Sequence, residues 1–334
     1  MTALVIWLRQ ERRRVILPWM SIYTFAPLYY ERIWGGNQLH AIYGRTLPEG
    51  KPIGESWELV DRDEACSQLT TPVDGITNLH DLWTKKRAEV FGTRAPDTAR
   101  FPILLKLLDA SEKLSVQVHP PASVASKLGG EPKTEFWYFL EVMENACIYA
   151  GLKKGVTAES FAAAVGKPEL ESMLHAIKPR PGDMMFLPAG RVHSISGGNL
   201  IFEVQQNSDT TYRVDDWGRV DASGQHRQLH VKQSLASINF RDIEPQLVQP
   251  HSERAINCPF FSVHRSFIFA GEYRTWNGDG GSFQYHFLAQ GELTLEKRTF
   301  TAGDGWLMSA DNPDYELSPG SEGAELITVQ FGTG

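Results

Sequence analysis

Pro181-Gly182-Asp183-Met184-Met185-Phe186-Leu187-Pro188-Ala189-Gly190-Arg191-Val192-His193 is the stretch on which the fold turns. Gly182-Asp183 suits a tight turn that launches a strand, residues 184–187 read as that strand, and Pro188-Ala189-Gly190 makes the next turn. His193 then opens a further strand. The pattern returns at Ala302-Gly303-Asp304, Trp306-Leu307-Met308 and the turn around Asp311-Asn312-Pro313. Residues 136–151 and 285–291 also look alike. Two copies of one β-barrel unit account for this echo, with residues 245–250 as a linker and the second copy occupying residues 250–334.

Outward from there, short runs of Val, Ile, Phe, Tyr and Trp recur between Gly, Pro, Asn and Asp, the punctuation of an all-β-dominated chain. Helical spacing is confined to residues 78–91, with Asn78 as cap, and to two short stretches at 157–165 and 168–177, which form a small helical insertion.

A formal net charge of −7 with no block of Lys and Arg excludes a nucleic-acid binder. Hydrophobic residues at 42% and charged residues at 22% fit an ordinary globular protein. Cys66, Cys147 and Cys258 have no CxxC spacing and read as buried small apolar residues in a reducing compartment. Arg12-Arg13-Arg14 precedes an apolar stretch that resembles a signal peptide, but Pro18 interrupts it and no small-residue cleavage site follows. The reading adopted is a dispensable extension over residues 1–19, a functional domain starting at Met20, and a cytoplasmic protein. No run approaches the ~20 apolar residues of a membrane span.

The chemistry lies between the barrel signals. In Lys113-Leu114-Ser115-Val116-Gln117-Val118-His119-Pro120, strand alternation puts Leu114, Val116 and Val118 on one face and Ser115, Gln117 and His119 on the other. An amide and an imidazole two residues apart on a strand can share one ion. Glu135, beside the apolar run 136–140, is costly as a bare carboxylate, so it is either paired at the strand end or bound to metal. His193 is a further ligand candidate. Its stretch matches the spacing G(X)5PXG(X)2H of the second cupin motif at Gly182, Pro188, Gly190 and His193, with Gly197 standing where that motif has Asn. Two imidazoles, a carboxylate and an amide oxygen suit zinc and leave room for water or substrate. The Asn-Ser-Asp-Thr-Thr stretch before Arg213 is good loop chemistry.

KLLDASEKLSVQVHP at 106–120, KTEFWYFLE at 133–141, PAGRVHSI at 188–195 and FEVQQNSDTTYRVDDWGR at 202–219 together resemble the type I mannose-6-phosphate isomerases, particularly the shorter bacterial form. PLYYERIWGG at 27–36 and GESWELVD at 54–61 resemble the opening segments of that family. The resemblance runs from Met20 to the C-terminus. It implies two cupin jelly-roll units: a metal-binding one over 20–249 and a degenerate, metal-free one over 250–334, where His286 and Asp311 stand isolated.

The resemblance further implies one Zn2+ per chain on Gln117, His119, Glu135 and His193, with Arg213 catalytic and Lys106, Ser115, Lys133 and Glu203 in the pocket. Glu203 and Lys133 are the two candidate proton carriers, and Lys106 and Ser115 are assigned to substrate binding. The implied activity is reversible aldose–ketose isomerisation of mannose 6-phosphate and fructose 6-phosphate through an enediolate, in a protein whose partner is a small sugar phosphate and for which a homodimer is compatible. The competing readings are a non-catalytic sugar-binding or regulatory cupin and an iron-dependent cupin dioxygenase.

Overall fold

In the computed structural model, which describes residues 21–220, 224–249, 253–278 and 280–333, the strand Ile103–Ala110 is buried at every position. A strand buried on both faces needs two partners. One face, with Ile103, Leu105 and Leu107, packs into a core that also holds Phe202, Phe287 and Val329. The other, with Leu108 and Ala110, closes the interior of the first barrel, and strand alternation turns Lys106 that way too.

The first barrel is built from two antiparallel sheets. One has the order Met184–Leu187, Glu135–Val142, Asn199–Gln206, Ile103–Ala110, Leu28–Gly36 and Ile53–Leu59, with the last strand also pairing to Ile103–Ala110. The facing sheet runs Leu174–Ile177, Ile148–Leu152, His193–Ile195, Val116–Val118 and Tyr212–Asp215. Leu108, Trp137 and Phe139 from the first meet Ile148, Ala150 and Ile195 from the second. The outer face of the second sheet, including Val116 and Val118, is covered by Phe161, Leu170 and Leu235 of three short helices. Val116 and Val118 thus point outward and Gln117 inward, as the alternation predicts. Leu114 does not follow them; it precedes the strand and lines the interior cavity.

The second unit is an antiparallel sheet of seven strands from Arg254–Asn257 to Tyr315–Gln330, completed to eight by Ile22–Tyr23. It folds around Leu288, Leu293, Trp306, Leu317 and Leu326, and Ile22–Tyr23 joins it by pairing with Met308 and Leu307. The echo seen in the sequence is one turn built twice. Gly182 N–H donates to the Phe139 carbonyl and Phe139 N–H to that of Asp183; Gly303 and Leu288 repeat this through Leu288 and Asp304. Both glycines are left-handed, with φ of 87° and 93°, a conformation that disfavours a side chain. Each Asp carboxylate accepts an N–H from three residues back, Arg180 or Thr301.

The two units share a core. Phe202 and Phe287 stack across their junction, with ring centroids 4.5 Å apart and planes 7° from parallel. The expected extension over 1–19 and the boundary at residue 250 lie outside the described residues. Of the linker, Val248 N–H donates to the Met184 carbonyl, so its last part is tied to the barrel wall.

The helix expected at 78–91 is Leu79–Lys85, capped by the Asn78 side chain on Asp81 N–H, followed by a wider turn at Arg87–Phe91. That expected at 157–165 is Ala158–Ala164, with a Thr157–Ser160 capping box. The one expected at 168–177 stops at Met173. Leu174–Ile177 is instead an edge strand, with Leu174 opposite Leu152 and buried among the residues under the helices. Sheet hydrogen bonds and that apolar pocket override the weak helical preference of so short a segment. All three cysteines are free thiols, but Cys258 alone is buried; Cys66 and Cys147 are partly exposed, against the expectation. No described helix is long and apolar enough to cross a membrane.

Candidate metal centre and active-site cavity

The turn at Pro188-Ala189-Gly190 ties two strands together. Gly190 is left-handed (φ 94°) and its N–H donates to the carbonyl of His119, at 2.8 Å. The strand that His193 opens is thereby held against the one that His119 ends, and Gln117 stands directly opposite His193. At Gly197, where the cupin motif carries Asn, a Cβ would approach the Ser111 carbonyl oxygen to 2.4 Å. The backbone there leaves no room for a side chain, and Asn199 bonds the Ser196 and Cys147 carbonyls instead.

His119, Glu135 and His193 converge, with ligand atoms all within 4.8 Å of one another, and each is at most 2% exposed. His119 Nδ1–H donates to the Thr210 carbonyl at 2.8 Å, and His193 Nδ1–H to the Arg191 carbonyl at 3.0 Å. These bonds fix both tautomers and turn each Nε2 lone pair inward, the arrangement that orients imidazole ligands. His119 Nε2 lies 3.2 Å from Glu135 Oε1 and His193 Nε2 3.5 Å from Oε2.

Lys133 Nζ stands 2.7 Å from Glu135 Oε1, yet neither Glu135 oxygen makes a hydrogen bond of acceptable geometry. The contact is a charge pairing without alignment, and both buried oxygens keep lone pairs to offer. Both alternatives read for Glu135 are therefore present: it is ion-paired, and it belongs to a ligand cluster. Burial alone would raise its carboxyl; Lys133 and His119 outweigh that and hold it well below the usual range. Burial lowers both imidazoles and keeps them neutral; Lys133 adds to this at His119, and at His193 burial outweighs the opposing pull of Glu135 and brings the ring down to about 3. Burial would lower the Lys133 ammonium, but Glu135 and Glu203 more than offset it. One ionised carboxylate and two neutral imidazoles form a donor set that fits a zinc-type ion. Gln117 reaches His193 Nε2 through its amide Nε2 at 3.2 Å, so it must turn its amide over to act as an oxygen ligand. Among the described residues no other group of His, Cys, Asp and Glu forms such a cluster.

Beside this centre opens a cavity of about 430 Å³. Its lining includes six of the other residues singled out in the sequence: Lys106, Ser115, Gln117, Lys133, Glu203 and Arg213. Two rows of side chains organise it. Across one sheet, Arg213, Gln117 and His193 are successive partners. Across the other, Trp57, Lys106, Glu203 and Trp137 are. Lys106 Nζ lies 3.4 Å from Glu55 Oε2 and 3.9 Å from Glu203 Oε1. Burial, then Glu135, push the Glu203 carboxyl up to about 7. Glu55 behaves oppositely: burial would raise it, but Lys106 and Arg32 hold it at about 2. Arg213 donates from Nη1 to the Gln228 carbonyl at 2.8 Å, and its buried Nε has no acceptor.

Sequence reasoning assigned no role to Arg32, Glu55, Trp137 or Arg227, all of which line the cavity. The Trp137 signal was available, because Trp137 follows Glu135 by two residues on one strand and so shares its face.

The family model described as phosphomannose isomerase type I, catalytic domain, matches residues 22–138. Mannose-6-phosphate isomerase ManA of Bacillus subtilis is 38% identical over 249 residues, covering 72% of this chain and 77% of that protein. The crystal structure of the mannose 6-phosphate isomerase from Bacillus subtilis superposes with a TM-score of 0.81 at 28% identity, over 92% of this chain and 99% of that one. A zinc-bound mannose 6-phosphate isomerase shares the fold, with a TM-score of 0.74 at 19% identity over 93% of this chain and 100% of that one. Sequence and fold agree along most of the chain: it belongs to the type I phosphomannose isomerase family.

Proposed function

We propose that this chain interconverts mannose 6-phosphate and fructose 6-phosphate in the cavity of the first barrel, with one zinc ion per chain held by His119, Glu135, His193 and the turned amide of Gln117. The observation that carries this reading is the placement of a three-ligand donor set, a carboxyl raised to about 7 and an arginine whose buried Nε has no acceptor around one cavity. When bound, zinc supplies Lewis acidity to the sugar's carbonyl and hydroxyl oxygens.

The isomerisation moves a proton between C1 and C2. Glu203 is the better of the two candidate carriers, since a carboxyl raised to about 7 both takes and gives a proton near neutral pH. Lys133 is held as an ammonium by Glu135 and Glu203; its part is to hold charge beside the sugar oxygens. Arg213 aims a fixed cation at oxygen charge that develops during the transfer. Lys106 and Ser115 position the substrate. Five lining cations (Arg32, Lys106, Lys133, Arg213, Arg227) face four carboxylates (Glu55, Glu135, Glu203, Asp209). A dication adds to that positive balance, which suits a phosphorylated sugar. The second unit, with His286 fully hydrogen-bonded inside it, acts as structural support.

The test is a coupled isomerase assay on purified protein together with metal analysis. Turnover should vanish on chelation, return with zinc, and accompany about one ion per chain. Full turnover by metal-free protein would refute the proposal.

A further inference from the structure

Lys106 is flanked by two carboxylates, and each is bonded on one oxygen by an indole. Trp57 Nε1 donates to Glu55 Oε2 at 2.7 Å, and Trp137 Nε1 to Glu203 Oε2 at 2.8 Å. An indole N–H is a donor only: it neither accepts a proton nor gives one up near neutral pH. A carboxyl oxygen facing it is thereby fixed as an acceptor, and any proton the group carries must sit on the other oxygen.

Trp137 is itself held firmly. It is 1% exposed and stands directly opposite Glu203 in the sheet. Its ring meets the His193 ring edge-on, with centroids 5.4 Å apart and planes at 84°. One side chain therefore touches both the candidate proton carrier and a candidate metal ligand on the facing sheet.

We infer that Trp137 is a positioning residue that locks Glu203 Oε2 as an acceptor, so that Oε1, on the Lys106 side, is the one oxygen through which Glu203 exchanges the substrate proton. The inference rests on the role proposed for Glu203. Fixing the carboxyl plane and reserving a single oxygen keeps the proton beside the adjacent C1 and C2 between which it moves, and such alignment is where an enclosed site gains rate.

The test is Trp137→Phe, which keeps an aromatic ring against His193 and removes the donor. Because the lost bond goes to a charged form, kcat should fall about tenfold to a hundredfold, with KM within about twofold and zinc content unchanged. The acid limb of the kcat profile should move to higher pH, since the lost donor favoured the ionised carboxylate; a purely structural residue would leave that limb in place. If the Phe variant folds poorly, replacing the indole with 3-benzothienylalanine keeps the bicyclic shape without the N–H and must give the same result. Unchanged kcat, an unmoved acid limb, or zinc lost along with activity would each overturn the inference. Glu203→Gln run in parallel separates the two ideas. Full activity in that variant removes Glu203 from proton transfer and the inference with it, whereas an inactive Glu203→Gln beside a fully active Trp137→Phe sinks the inference alone.

Discussion

Arg213 stands directly opposite Gln117 in the antiparallel pairing of Tyr212–Asp215 with Val116–Val118, and that one strand separates it from His193. Its guanidinium thus reaches the cavity from the sheet that carries the two imidazoles, while Glu203, the proposed proton carrier, comes from the facing sheet. Arg213→Ala should lower kcat roughly a hundredfold or more, with a smaller rise in KM, as expected when a donor to transition-state charge is lost. Arg213→Lys should recover part of that, lacking the planar fork. Steady-state kinetics with metal content and melting temperature measured alongside checks this. Loss of zinc with activity would reassign Arg213 to holding the site together.

Metal retention should divide the cavity residues cleanly. His119→Ala and His193→Ala remove a convergent ligand and should lose zinc and turnover together. Ser115→Ala lies outside the ligand cluster and should keep zinc. Elemental analysis of the three purified proteins decides it; a zinc-replete His193→Ala would contradict the assigned centre.

The acid limb of the rate profile should belong to Glu203. Its carboxyl, raised to about 7 by burial and by Glu135, must lose its proton before it can act as a base. Consequently kcat/KM should rise with pH through a midpoint at or below that value, a bound dication pulling it down. Glu203→Gln should remove the limb together with nearly all activity. A limb that survives in the Gln variant would place the base elsewhere.

His286, inside the second unit, makes a separate pH prediction. Burial lowers its imidazole to about 3, and its nitrogens bond Thr328 Oγ1 at 2.8 Å and Tyr315 Oη at 2.6 Å. Below the ordinary value near 6.5 the unfolded chain binds a proton that the folded one refuses. The stability due to neutral His286 is therefore complete above that value and is lost as pH falls towards 3, ~2 kcal/mol of it by pH ~5. Denaturant titrations between pH ~7.5 and ~5 should show this slope added to that of the similarly lowered His193, and His286→Phe should remove the ~2 kcal/mol share that belongs to His286. An unchanged slope would assign the acid sensitivity to other groups.

Because Phe202 and Phe287 stack in a core that both units share, the chain should unfold in a single transition. Phe202→Ala should cost roughly 3–5 kcal/mol without splitting that transition. Two resolved calorimetric peaks would show that the units unfold independently.

What the sequence disclosed and withheld follows from the range of the interactions. The Gly182-Asp183 and Gly303-Asp304 turns are local, so their shared geometry was legible from a few residues. The inward face of Gln117 and His119 needed only the two-residue period of a strand. By contrast, the pairing of Trp137 with Glu203 depends on the register between strands 66 residues apart in sequence, which no local pattern encodes. The same holds for Glu55, whose partner Lys106 comes from a different strand. Leu174–Ile177 misled for another reason: four residues following a helical stretch carry too little periodicity to distinguish a helix's last turn from an edge strand, and only the apolar pocket around Leu174 settles it.

Lys133 has a consequence for the life history of the protein. Its ammonium rests against Glu135, the one carboxylate in the donor set, so the chain brings its own counterion to the centre where a dication is proposed to sit. Folding then need not wait for metal supply, since the buried acid is never left bare. A chain short of zinc is then expected to stay folded and ready to be loaded, whereas ligands left to repel one another until metal arrived would weigh against the fold.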